Sequence, residues 1–291
     1  MEFLAILIAL ALLQVWGSGG PVQRDAWFLE LRRWFGARTG GVTRQLAVVL
    51  LPGVALVVLQ AWLGGVAYGL AELALFVLVL LYSLGRGDLA AAITEYLQRW
   101  GRGDFQAAFE QLQDEGGEAV AAPVEADVPD PRALHARARR RLYYRSFERL
   151  FAVLFWFVIF GPAGALVYRL AALDRANLRV EAPGDEQGLA LVHWLDWLPA
   201  RLAGLGFALV ADFDACTRAW RRLADDVQAD AGEVLECSGN AALQFADPEP
   251  AEETQDALIA RGTQQIVAIE GLQRRVLLVW LTVIAMLVMI F

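Results

Sequence analysis

The sequence predicts an all-α integral membrane protein, with about four to five transmembrane or membrane-embedded helices and cytoplasmic helical loops. Three observations carry that expectation. The chain is 57% hydrophobic with a mean hydropathy of +0.43, above the roughly 45–50% apolar usage of soluble domains, and the excess sits in a few blocks. Ten tryptophans suit a chain with many interfacial positions, where an indole keeps its ring apolar and its N–H wet. No block of useful length alternates apolar and polar residues as a half-buried strand would.

Residues 1–45 combine an apolar start with a surface helix. Met1 to Trp16 has no basic n-region and no small-residue cleavage site, so it is not expected to be a secretory signal. It is short for a full span, and an interfacial helix and a thin transmembrane helix remain open readings. After the Gly17 to Gly20 break, Trp27, Phe28, Leu31, Trp34 and Phe35 recur on one side of a helix, with Arg24, Glu30, Arg32 and Arg33 on the other. Residues 46–84 read as a transmembrane hairpin, two apolar runs joined by Gly64-Gly65-Val66-Ala67.

Residues 85–149 form a cytoplasmic helical region. Apolar positions at Leu89, Ala92, Ile93, Tyr96, Leu97 and Trp100, then at Phe105, Ala108, Phe109 and Leu112, give two amphipathic helices with Asp104 as N-cap of the second. Glu115 to Pro131 is acidic and rich in Gly and Pro, and is expected to be a mobile loop. Arg137, Arg139, Arg140, Arg141, Arg145 and Arg149 then precede an apolar segment, which positive-inside logic places in the cytoplasm. The same arginines would suit capture of an anionic headgroup or a phosphorylated ligand.

Residues 150–213 hold that segment, LFWFVIFGPAGALVYRL, and a second one, VHWLDWLPARLAGLGFALV. Phe151 to Leu170 is long enough to cross a bilayer as one helix, about 20 residues at 1.5 Å each. The chain then returns through Trp194 to Ala211, with Pro199 at the first turn of that helix. A break at Gly161-Pro162-Ala163-Gly164 into a re-entrant pair is the alternative to the full crossing. Residues 214–275 form a second cytoplasmic helical region with a loop at Asp247-Pro248-Glu249-Pro250. Residues 276–291 form a C-terminal transmembrane helix after Arg274-Arg275.

A net charge of −8 opposes nucleic acid as a partner, because a phosphate backbone demands clustered positive charge. Cys216 and Cys237 are too far apart for a CxxC pair, and His135 and His193 are isolated, so neither a metal site nor any other cofactor is expected. Common catalytic motifs are absent: there is no P-loop, HExxH or GxSxG. What remains is charge inside apolar sequence. Asp196 and Arg201 stand five residues apart across Pro199, where charge is expensive and reads as a functional candidate. They are close enough to pair with each other or to hold a polar ligand together.

The segment DWLPARLAGL, following LFWFVIFGPAGALVYRL, resembles the AmpE family of inner-membrane proteins over essentially the whole chain, and more distantly the cobalamin-biosynthesis proteins CbiB and CobD. The first resemblance implies a multi-pass protein of the bacterial inner membrane. Such a protein would be a signalling modulator in β-lactamase regulation tied to muropeptide recycling, partnered by the bilayer and by a cell-wall recycling protein or muropeptide-like ligand. It implies no catalytic residue. The second implies an ATP-dependent amide ligase. This chain departs from that branch, with WGSGGPVQRDAWF and YYRSFERLF where the branch carries its aspartate-proline and acidic signatures. On these resemblances Asp196 and Arg201 are the expected ligand-binding residues, with Trp156, Tyr168 and Arg169 lining the same cleft.

Overall fold

A computed structural model describes residues 2–16, 24–36, 41–63, 69–84, 89–114, 130–181, 186–245 and 253–290, which form helices and, among the described residues, no strand. The breaks expected at 17–20, 64–67 and 85–88, the loop expected at 115–131 except its last two residues, and the loop at 247–250 lie outside the described residues. The chain divides into two compact units. One comprises Met1–Gly87, Glu148–Asp196 and Ile284–Phe291, the other Asp88–Phe147 and Trp197–Val283.

The first unit gathers the apolar helices α1 (Glu2–Trp16), α2 (Ala26–Gly36), α3 (Gly41–Leu63) and α4 (Leu70–Ser83) around α8 (Ala152–Glu181) and the first part of α9 (Glu186–Val210). Helix α3 carries no charged or amide side chain between Leu46 and Leu59. It packs on α8 so closely that a Cβ at Gly53 would come within 2.5 Å of Val167. Phe28, Val48, Leu56, Tyr82, Leu166, Leu170 and Val192 meet in its core. The opposite side of α3 is left uncovered: Leu51, Val54, Val58 and Trp62 are exposed, the last to 79%.

Among the described residues two helical stretches are long and apolar enough to cross a membrane, Thr43–Leu63 and Pro131–Leu178. The second is not a straight rod. A π-helical turn, Phe147–Phe151, precedes α8, and at Gly161 the backbone leaves the helix with φ 63° and ψ −155°, a conformation that costs a residue with a Cβ of order 1–3 kcal/mol. The chain doubles back there. In a straight helix Glu148 and Arg175, 27 residues apart, would be separated by about 40 Å, yet their side chains meet at 2.5 Å. The single crossing helix expected over 151–170 is therefore replaced by a hairpin with its tip at Gly161-Pro162 and with arms of about 20 Å and 30 Å. The reversal falls at the break in Gly161-Pro162-Ala163-Gly164 that the sequence offers as the alternative; the apolar run favours the straight crossing because hydropathy is blind to a reversal inside it.

Two further expectations change. Helix α9 starts at Glu186, so Pro199 lies inside it rather than at its first turn. On α2 the inward side carries Phe28 and Arg32, while Trp27 and Trp34 are exposed. Arg32 turns inward because Asp174 waits there.

The second unit contains α5 (Leu89–Gly101), α6 (Phe105–Asp114), α7 (Pro131–Ser146), the remainder of α9, α10 (Phe213–Ala224), α11 (Ala231–Ala242) and most of α12 (Gln255–Ile290). Asp130 caps α7 by accepting from the Arg132 amide, and Asp212 caps α10 by accepting from that of Ala215. The basic residues of α7 are largely used in holding this unit together. Arg139 donates to Gln265, Arg140 to Asp230, and both Arg141 and Arg145 to the carbonyl of Leu112. Ser146 and Arg132 add bonds to Gln273 and Glu253. The regions 89–114, 130–147 and 253–273 are thus parts of one folded body.

Candidate functional site: a buried charge cluster

The reversal at Gly161 places residues on the two arms of the hairpin at matching heights. Near its base the π turn presents Glu148, and the second arm presents Tyr168, Arg169, Asp174 and Arg175, of which Tyr168 and Arg175 are seven residues apart and share a face. Arg175 donates to Glu148 at 2.5 Å and pairs with Asp196 at 3.6 Å. Asp196 also accepts from the Tyr168 hydroxyl at 2.7 Å. Arg175 thus clasps two carboxylates from different parts of the chain. Beside it, Arg32 of α2 donates to Asp174 at 2.7 Å.

All of these paired groups but Glu148, which is 15% exposed, are buried. Asp174 is 0% exposed and Asp196 2%, where an unpaired carboxylate would cost several kcal/mol. Glu148 and Asp196 share Arg175, Asp174 takes Arg32, and Arg169 lies within electrostatic reach of Glu148. Local pairing is incomplete all the same: among the described residues Asp174 Oδ2 and Arg169 Nε are buried without a hydrogen-bond partner. Apolar packing would serve stability at least as well as such a cluster, which marks it as the candidate site.

Pro199 shapes the approach. Lacking an N–H, it leaves the carbonyl of Leu195 without its intrahelical donor, and the Trp156 indole supplies a replacement at 3.2 Å. Trp156 therefore fixes the turn of α9 that carries Asp196. Of the five residues singled out in the sequence, Asp196, Tyr168, Trp156 and Arg169 belong to this unit. Arg201 does not. Its guanidinium donates to the carbonyls of Trp197, Leu223, Ala224 and Asp226, and stacks on Trp197 at 4.2 Å, while its own carbonyl accepts from the Trp220 indole at 2.9 Å. It plugs the C-terminal end of α10, where carbonyls are left over and a positive charge is favoured.

Sequence reasoning missed Glu148, Asp174, Arg175 and Arg32. The adjacent Asp174-Arg175 in ALVYRLAALDRANL is a charge pair inside an apolar helix and is the signal that could have found them. The remaining candidates lie in the second unit. His135 is buried, bonded to Tyr96 and Gln265 at 2.9 Å each. Burial pushes the Cys216 thiol up to about 11 and that of Cys237 in the same direction. Among the described residues no group of three His, Cys, Asp or Glu side chains is placed to hold a metal ion.

Comparison with known proteins agrees with the resemblance. The chain is 25% identical to protein AmpE of Shigella flexneri over 228 residues, 72% of this chain and 73% of that protein. It is 29% identical to the cobalamin biosynthesis protein CobD of Stutzerimonas stutzeri over 194 residues, 64% of this chain and 59% of that one. No solved structure matches it. The family model for the regulatory signalling modulator protein AmpE matches residues 1–290, and the chain belongs to the AmpE family.

Proposed function

We propose that the protein is a multi-pass modulator of the bacterial inner membrane, in which the cluster around Asp196 and Arg175 receives a polar ligand. The signal it modulates is β-lactamase regulation linked to muropeptide recycling. The observation that carries this reading is the buried charge cluster inside a unit whose outer surface is apolar. Exposed Leu51, Val54, Val58 and Trp62 along α3 would promote association in water and are satisfied by lipid tails. Charge held at that depth is retained for use rather than for stability. The family contributes the regulatory role. In this arrangement the hairpin at Gly161 is re-entrant, and the second unit faces the cytoplasm beside the arginines of α7.

The test is complementation of a deletion strain with Arg175→Gln and Asp196→Asn. Compared at matched membrane abundance, both variants should fail to restore normal β-lactamase induction or muropeptide levels. Normal induction by both would overturn the ligand-receiving role. The similarity to CobD favours a second reading, a membrane-bound amide ligase or transferase. ATP-dependent consumption of a carboxylic acid and an amino alcohol phosphate by the purified protein would establish that reading in place of the first.

A further inference from the structure

We infer that Arg169 is the seat for the phosphate of a membrane-borne amphiphile, and so that the ligand of the charge cluster is an anion. Of the three arginines in the cluster, Arg32 and Arg175 are held by carboxylates at 2.7 Å and 2.5 Å. Among the described residues Arg169 makes no ion pair and no hydrogen bond, although its Nε is buried. Glu148, Tyr82 and Tyr168 lie within its electrostatic reach. The Glu148 carboxylate is committed to Arg175, and the two hydroxyls donate to Asp25 and Asp196. A guanidinium offers five donors in a planar fork that fits phosphate or carboxylate. Left without an acceptor at this depth it is costly, and an anion arriving from outside the chain removes that cost.

Position narrows the ligand class. Arg169 lies about 12 Å along the helix from the reversal at Gly161 and about 9 Å from Arg175. It is on the arm that packs against α3, and beside the reversal the same hairpin exposes Ile159 and Phe160. An acyl or prenyl chain laid along apolar helices would bring a phosphate to this height, whereas a free ion must leave water to reach it. The shared chemistry is a phosphomonoester dianion. This rests on the ligand-binding reading of the cluster and is independent of any role in β-lactamase regulation.

The experiment uses the purified full-length protein in zwitterionic nanodiscs, with thermal stability and native mass spectrometry as readouts. Probes are a short-chain phosphatidic acid, inorganic phosphate and a short-chain phosphatidylcholine. Phosphatidic acid should stabilise the parent and form a one-to-one adduct. Arg169→Gln should weaken that binding by about tenfold or more, the scale of losing charged hydrogen bonds, and Arg169→Lys should keep part of it. Without probe, Arg169→Gln should melt no lower than the parent, since it removes an unpartnered, part-buried charge. An arginine with a purely structural role would melt lower. Equal binding of phosphatidic acid by the parent and Arg169→Gln, no binding by the parent, or a lower melting point of unliganded Arg169→Gln would each overturn the proposal. Inorganic phosphate acting at the same concentration as phosphatidic acid would overturn the amphiphile as the source. These outcomes stand whether or not the induction phenotype changes, so failure here and failure of the signalling role are distinguishable.

Discussion

Asp196 and Arg201 invite pairing by their spacing, and the structure predicts instead that their contributions to stability are independent. Arg201 donates four hydrogen bonds to carbonyls, two of them at 2.8 Å or shorter. At about 1 kcal/mol net for each, Arg201→Met would cost about 4 kcal/mol. Water reaching the partly exposed carbonyls lowers this to about 2–3 kcal/mol, and the stacking on Trp197 restores about 0.5. Asp196→Asn weakens the hydrogen bond from Tyr168 and removes the attraction to Arg175, a loss of about 1–3 kcal/mol. Because each side chain finds its partners within its own unit, the double variant should lose the sum to within about 0.5 kcal/mol. Asp196→Leu with Arg175→Met makes the contrasting cycle. There Arg175→Met strands the Glu148 and Asp196 carboxylates, about 3–5 kcal/mol for a fully broken pair, whereas Asp196→Leu leaves Arg175 on Glu148, so the loss in the double variant should fall short of the summed single losses by more than 1 kcal/mol. Denaturant unfolding in detergent, followed by tryptophan fluorescence, measures both cycles. A coupling of about 1 kcal/mol or more between Asp196 and Arg201 would refute the separation of their roles.

Other consequences are as direct. Trp156→Phe should cost about 1 kcal/mol by stranding the Leu195 carbonyl, and should cost less in a Pro199→Ala background, where the helix regains its own donor; equal costs would deny the replacement. A methyl group at position 262 would sit 2.6–2.8 Å from the Trp100 indole, so Gly262→Ala should destabilise by about 1–3 kcal/mol and shift the tryptophan emission, which an unchanged unfolding curve would contradict. The hydrogen bonds from Arg261, and after it Arg132, hold the Glu253 carboxyl below the usual carboxylate range against its desolvation. A depressed folded-state value contributes stability above the unfolded-state value near 4.5, and that contribution disappears as pH falls through the folded-state value. Glu253→Gln should therefore flatten part of the acid limb of a melting-temperature profile, and an identical limb would show that the pair contributes nothing. Single cysteines at Gln106 and Gln228, both exposed in the second unit, should escape an impermeant thiol reagent in intact cells lacking the native cysteines; labelling of either from outside would invert the proposed topology.

Helical class and most helix positions were legible because 3.6-residue periodicity and apolar run length are local properties. Asp104 at the start of α6 and the amphipathic α5 follow from a few neighbouring residues. The burial of Asp196 and Arg201, 2% and 4% exposed, was equally legible, since charge in apolar sequence has few other places to go. Their partners were not. Tyr168 lies 28 residues before Asp196, and the carbonyls that Arg201 caps lie up to 25 residues after it. Only the folded chain brings them near. The α7 arginines show the limit of composition as a guide, because a guanidinium that marks topology and one that ties carbonyls together, as Arg145 does, look the same in a sequence. The Gly161 reversal was written in Gly161-Pro162, and it competed with an apolar length that suits a straight crossing equally well.

The π turn at Phe147–Phe151 is a helix carrying one residue more than its length needs. Removing any one of Arg149, Leu150 and Phe151 would restore an ordinary α-helical turn and carry Glu148 about 100° around the axis relative to α8, away from Arg175. The charge clasp is therefore specified by a residue count as well as by residue identity. Among AmpE proteins, a one-residue length difference just before the aromatic segment would separate chains that can close this clasp from chains that cannot, even where every charged side chain is retained.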